Sequence, residues 1–201
     1  MGRISDAREK LLQVAFDLIW NSSYGSVSVD QICARAAVNK GSFYHYFPSK
    51  TDLAVAAYEE HWRQKQADMD RIFSAQIPPL ERLEGWFEFI CEGQRRKAEI
   101  YGRVCGCPYA SLGCEVATQD EKLRSKAQEL VERGGRYVES AVADAQRLGL
   151  ISVGDTKRAA EAVSAIVLGM LMRAKLRNDL SILEQLEPAA LGVIGLTPVG
   201  V

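Results

Sequence analysis

From Leu123 to Leu148 the apolar positions Leu123, Ala127, Leu130, Val131, Gly134, Val138, Ala141, Val142, Ala145 and Leu148 recur at the 3.6-residue period of an α-helix, and the pattern stops at Gly149. A helix that long, apolar along one stripe and charged elsewhere, has to lay its stripe against other helices. Strand-like alternation bounded by hairpin turns occurs nowhere in the chain, so the pattern predicts an all-α fold of about nine helices.

Short helices precede position 52 and long ones follow it. Asp6 and Glu9 have the spacing of a capping pair, which predicts a first helix from near Asp6 with Leu12, Ala15, Phe16 and Ile19 facing inward. Ser28 with Gln31 three residues on is a capping box for a second helix, whose Ile32 and Ala36 face inward. After Ala37-Val38-Asn39 a third helix runs from Lys40 to Phe47 and ends at Pro48, because proline pushes the residue before it out of the helical region. Ser49-Lys50-Thr51-Asp52 caps a long fourth helix reaching about Phe73, which Pro78-Pro79 then breaks. A fifth carries Leu80, Leu83, Phe87, Ile90 and Cys91 on one stripe, and residues 102–114, with their Gly, Cys and Pro108, read as a loop or a short interrupted helix. Between about Asp155 and Arg177 the pattern is apolar on nearly all sides, which predicts cover on more than one face, a partner subunit being the simplest. Ile182 to Leu196, interrupted by Pro188, reads as two short turns or a restarted helix.

A chain of 201 residues with 47% apolar and 25% charged residues has the composition of a folded globular protein. The longest apolar run, Ala162 to Met172, is roughly half the ~20 residues a membrane span needs. Met1 to Lys10 carries charges of both signs and no apolar targeting segment, which predicts a cytoplasmic protein without membrane association. Five cysteines in no framework spacing fit reduced thiols rather than disulfides. The net charge of −1 excludes a wholly basic nucleic-acid coat, and residues 1–52 hold six Lys/Arg against five Asp/Glu, so any nucleic-acid reading has to come from arrangement.

That arrangement is present between residues 28 and 47. Two short helices joined by a tight turn, the second presenting polar, aromatic and basic groups outward, form a helix-turn-helix that fits a major groove. With Phe43 and Phe47 four apart and facing the core, the opposite side of the third helix offers Lys40, Ser42, Tyr44 and His45 to phosphates or base edges, and Gly41 lets the backbone approach. Ser28 and Lys50, each at the start of a helix, place donors where phosphates would lie. An ordinary solvated helix face explains any one of these residues taken singly; the joint pattern is what points to DNA.

The string Val29-Asp30-Gln31-Ile32, followed by Ala36-Ala37-Val38-Asn39-Lys40-Gly41-Ser42-Phe43-Tyr44-His45-Tyr46-Phe47-Pro48-Ser49-Lys50-Thr51-Asp52-Leu53, closely resembles the N-terminal signature of TetR-family transcriptional regulators. The resemblance is strong over roughly residues 6–58; beyond that only helix pattern and length agree. It implies that the positions of Lys40, Gly41, Ser42 and His45 approach bases, while Ser28, Tyr44, Tyr46 and Lys50 hold phosphates. For Tyr46 the alternative is a ring packed against the fourth helix. The resemblance also implies a homodimer built on the last two long helices and a palindromic double-stranded operator read by two recognition helices ~34–36 Å apart. A small molecule in the C-terminal helices would move the fourth helix and change that spacing, most often releasing a repressor. The division expected is 1–52 for DNA binding and 53–201 for ligand binding and dimerisation.

For the unidentified ligand, Trp86, Phe87, Ile90, Tyr101, Cys107, Tyr109 and Tyr137 are candidate pocket residues, with plain core packing as the alternative. Cys105, Cys107 and Cys114, near Arg103, raise the further alternative of a redox or electrophile sensor, since thiolates beside cations become nucleophilic; small apolar fillers are the other reading. Cys-x-Cys without nearby histidines lacks zinc-ligand spacing, and nothing calls for a cofactor. An enzyme would need a nucleophile and base brought together, yet His45 and His61 lie early while four cysteines lie later, and no G-x-S-x-G, H-E-x-x-H or phosphate loop occurs. A helical ligand-binding module without DNA binding is the remaining alternative; it would lack a DNA binder's steep salt dependence.

Overall fold

The computed structural model describes residues 2–196, which hold nine α-helices, one 3-10 helix and no strand. In chain order they are α1 (Gly2–Asn21), α2 (Val29–Ala36), α3 (Lys40–Tyr46), α4 (Lys50–Ile72), α5 (Pro79–Tyr101), α6 (Pro108–Val116), α7 (Glu121–Arg147), α8 (Thr156–Arg177), the 3-10 helix Leu180–Gln185 and α9 (Leu186–Gly192). None of these helices is long and apolar enough to cross a membrane.

Local chemistry sets the boundaries. Ser28 Oγ accepts the Gln31 N–H while Gln31 Oε1 accepts the Ser28 N–H, closing the capping box of α2. Asp155 caps α8 by accepting from Lys157 and Arg158 N–H, and Asn178 ends it in the left-handed conformation. Three expectations need correction. The first helix starts at Gly2, not near Asp6: Asp6 lies inside it, and its carboxylate takes the Lys10 ammonium at 2.8 Å, one turn on. A cap pair and an intrahelical neighbour have nearly the same spacing, so the pattern alone does not separate them. Residues 102–114 are a loop only as far as Cys107, after which Pro108 occupies the first position of α6, where its missing N–H costs nothing. The α7 stripe ends at Ala145; Leu148, beyond the last helical residue, is 60% exposed.

Packing divides the chain into two compact units, one running to Gln66 with Pro108–Val131 added, the other comprising Ala67–Cys107 and Glu132 onward. In the first, α1 packs on α2, α3 and α6. Leu11, Ala15 and Phe16 of α1, Ile32 of α2, Phe43 of α3 and Leu53, Ala54 and Tyr58 of α4 are buried there. Phe16 meets Tyr58 edge-on at 5.0 Å and stacks on His61 at 3.8 Å. In the second unit the core runs through Leu83, Phe87, Val138, Val142, Val163, Val167 and Leu186, and α9 packs on α8 and α5. Two polar side chains are buried in it and both are satisfied. Arg82 donates to Ile77 O at 2.7 Å, Ala75 O at 3.3 Å and Asp144 Oδ2 at 2.7 Å. Gln94 accepts from the Gly106 N–H at 2.9 Å and donates to the Gly106 carbonyl at 3.2 Å. That exchange pins the loop before α6 at a residue whose φ of +71° suits glycine.

Candidate nucleic-acid interface

Helix α3 is seven residues long, too short to persist in water by itself. It is held from below. Phe43 is completely buried and Phe47, its C-terminal neighbour, is 4% exposed; each ring contributes roughly 1.5–3 kcal/mol by leaving water. Asn39 caps the other end, its Oδ1 accepting the Ser42 N–H at 2.8 Å. The turn from α2 passes through Ala37 in the left-handed conformation (φ 54°), whose N–H returns to Cys33 and Ala34 carbonyls. These contacts fix the outward side of α3, where Lys40, Tyr44 and His45 are exposed and Ser42 and Tyr46 half-buried. Tyr44 stands 56% exposed with its ring against the edge of Phe43, and the Tyr46 ring meets His45 at 5.1 Å.

Several expected roles change in detail. A Cβ on Gly41 would sit 3.2 Å from Asn39 Oδ1, so the glycine also keeps the cap of α3 unobstructed. Ser28 uses its oxygen as acceptor in the capping box and keeps its O–H to donate. Lys50 is committed inward: its Nζ donates to Tyr24 O and Val27 O, both at 2.9 Å, and lies 4.1 Å from the centre of the Tyr24 ring. Burial there pushes the Lys50 ammonium below the usual lysine range. Lys40 keeps an exposed head, paired with Asp30 Oδ1 at 2.5 Å.

Residues that sequence reasoning passed over tie this region to α6 and the start of α7. Glu115 of α6 accepts the Tyr24 N–H at 2.9 Å and the Gly25 N–H at 2.7 Å, gripping the turn that follows α1. The Tyr24 hydroxyl pairs with Thr51 Oγ1 at 2.9 Å, and Thr51 in turn donates to Asp120 Oδ2 at 2.7 Å. Lys122 pairs with Asp52 and Lys126 with Glu59. Partners some seventy to ninety residues apart leave no local pattern, so no sequence signal pointed to them. Arg8 of α1, also passed over, lies 5.6 Å from the centre of the Phe47 ring.

The candidate ligand residues do not all converge. Trp86 and Tyr137 each contact Phe73, at 6.1 and 5.4 Å, and Trp86 contacts Phe87, forming one aromatic group in the second unit. Ile90 and Cys107 pack against the same core. The Tyr137 hydroxyl donates to Asp70, and burial with that carboxylate pushes its pKa up to about 12. Tyr101 lies under the Lys97 ammonium at 5.2 Å. Tyr109 joins a different group, with Tyr58, His61 and Trp62, each about 6 Å away. A groove of about 650 Å³ in the first unit, between α1 and α4, is lined by none of the candidates; its charges include the pairs Asp6–Lys10 and Glu60–Arg63. Among the thiols, Cys105 is 1% exposed, and burial pushes its pKa up in spite of Lys97, Lys175 and Arg103, so it rests as a thiol. Cys107 is half-buried and Cys114 exposed.

The profile of bacterial regulatory proteins of the tetR family matches residues 11–57, and that of the tetracyclin repressor-like C-terminal domain matches residues 79–189. The transcriptional regulator AcuR of Cereibacter sphaeroides is 31% identical over 172 residues, 85% of this chain and 77% of that protein. The HTH-type transcriptional repressor NemR of Escherichia coli is 26% identical over 189 residues, 89% of each chain. Among solved structures, the regulatory protein TetR from Rhodobacter sphaeroides superimposes with a TM-score of 0.82 at 29% identity, covering 92% of this chain and 96% of that one. The reduced form of Escherichia coli NemR does so with a TM-score of 0.81 at 24% identity, covering 97% and 100%. The capped helix-turn-helix, the all-helical fold behind it and these matches over both halves of the sequence agree: the chain belongs to the TetR family of bacterial transcriptional regulators.

Proposed function

We propose that this protein is a repressor that binds a palindromic operator as a homodimer in the cytoplasm and is released when a small molecule enters its C-terminal helices. As a TetR-family member it is a ligand-responsive, DNA-binding transcriptional regulator. The observation that carries the reading is the division of α3 into a side sunk in the core through Phe43 and Phe47 and a side that offers Lys40, Tyr44 and His45 to a groove. DNA reading is assigned to the helices up to residue 52, sensing and dimerisation to the chain from residue 53.

Dimerisation is supported by α8. Its inner side buries Val163, Val167, Met170, Leu171 and Ala174, while Ala165, Gly169, Met172 and Leu176 recur along another side at spacings of four, three and four, with Met172 57% and Leu176 78% exposed. Small residues at the first two positions let a second helix approach, and that spacing is the seam by which two helices interlock. The aromatic group of Phe73, Trp86, Phe87 and Tyr137 is the strongest candidate to line the ligand site, with Ile90 and Cys107 packed on the same core. Glu115 and Asp120 supply a route for the signal, because a shift of α6 would release the N–H groups of Tyr24 and Gly25 at the base of the DNA-binding helices.

Genomic fragments enriched by the purified protein, followed by a salt titration of the winning fragment, test this directly. Affinity is expected to fall with a slope of about −0.9 per phosphate contact, and Lys40→Ala to alter which sequences are preferred. Binding that is indifferent to salt, or a Lys40→Ala variant with wild-type preference, would contradict the docking of α3.

A further inference from the structure

Asp30 stands in the first turn of α2, next to the cation that opens the reading helix. Its Oδ1 lies 2.5 Å from Lys40 Nζ, and the two side chains are 67% and 58% exposed, so neither head is enclosed by the fold. An exposed pair of this kind adds little to stability, and the place of Asp30 in the first turn of α2 suits the helix dipole without calling for a partner on α3. A carboxylate there is a liability for simple electrostatic attachment, since it repels the phosphates that an unaccompanied lysine would attract. Among the other cations of the first helices, three are turned to different partners: Lys50 to Tyr24 O and Val27 O, Lys10 to Asp6, Arg8 to the Phe47 ring. Lys40 is the one among these four whose partner is a carboxylate from a different helix.

We infer that Asp30 is a positioning residue for sequence discrimination: its carboxylate holds the Lys40 ammonium on a base edge and keeps it off the phosphate backbone. One ammonium N–H is spent on Asp30, which leaves two for acceptors in the groove. Guanine, with O6 and N7 side by side, presents the acceptor pair that fits them. A free lysine slides along any phosphate; one tethered from the side by a fixed carboxylate has a restricted reach, and the neighbouring negative charge penalises the phosphate alternative. This inference rests on the operator-binding reading above and adds to it the residue that makes Lys40 selective.

The test measures affinity of the homodimer for its enriched fragment, for single-base variants of it and for unrelated duplex, each across a salt series, using wild type, Asp30→Asn, Asp30→Glu, Lys40→Ala and the Asp30→Asn/Lys40→Ala double variant. Asp30→Asn is expected to bind unrelated duplex more tightly, to lose roughly tenfold in discrimination, about the worth of one base contact, and to steepen the salt slope by about 0.9 per new phosphate contact. Asp30→Glu is expected to restore part of the discrimination. In the Lys40→Ala background the effect of Asp30→Asn on base preference should vanish, since the carboxylate acts through the ammonium. Unchanged discrimination and slope in a folded Asp30→Asn variant overturn this inference and leave the regulator intact. An Asp30→Asn effect that persists without Lys40 also overturns it, by showing that Asp30 touches DNA itself. A wild-type protein that ignores salt and sequence alike removes the operator reading and this inference with it.

Discussion

Arg82 is 4% exposed, and its guanidinium is held by two carbonyls and the Asp144 carboxylate. Asp144 also accepts from the exposed Arg147 at 2.6 Å, and Arg147 first, then Arg82, hold its carboxyl below the usual aspartate range. Replacing Asp144 by Asn leaves a buried charge with only its carbonyls, a loss of about 1–3 kcal/mol at neutral pH, discounted because Asp144 is itself partly exposed. The folded pKa lies below the unfolded one, so the stabilisation is complete above the unfolded aspartate value of about 4 and is lost as pH falls through the folded value. Urea melts of wild type and Asp144→Asn should therefore differ at pH 7 and converge in acid. A difference that stays constant with pH would show that the pair contributes through shape alone. Ala37 tests the helix-turn-helix in the same way. A non-glycine residue at φ 54° is strained, and Ala37→Gly should gain up to about 1 kcal/mol if the α2–α3 turn is as described; a loss of stability in thermal melts would count against that turn.

Elements were legible in the sequence wherever the signal was local. The Ser28–Gln31 box places the start of α2 and the Pro48 stop the end of α3, because each acts within four residues of its partner. The destination of a long polar side chain was not legible. Lys50 reads as a phosphate donor by type and position, yet it closes on the carbonyls of Tyr24 and Val27, partners fixed by how α1 and α4 pack. Glu115 is the stronger case: nothing in α6 announces that its carboxylate ends on a turn ninety residues earlier. Glu115→Ala should expose the Tyr24 and Gly25 amides to hydrogen exchange while α3, held by Phe43 and Phe47, keeps its protection. Amides that remain as protected as in wild type would show that the clamp is not formed in solution.

For the whole molecule, helix length points to a boundary after residue 52, and the compact unit that holds α1, α2 and α3 also takes in α6 and the start of α7. Length is written in the sequence; which long helix lends its first turns to a neighbouring core is decided by contacts with no local trace. The all-α architecture, by contrast, follows from periodicity alone, and so does the expectation that α8 needs cover on more than one face. Leu176→Glu and Met172→Glu, on the exposed stripe, should leave the fold intact and give a monomer in light scattering, with operator affinity falling by far more than either charge would cause by itself. A dimer that survives both changes would place the interface elsewhere. The central claim is that two copies of α3 occupy successive major grooves. A hydroxyl-radical footprint on the enriched operator addresses it most directly. The account predicts two protected windows related by two-fold symmetry, their centres about one helical turn, ~34–36 Å, apart or a multiple of it. A single asymmetric window, or protection that does not follow the two halves of a palindrome, would contradict it.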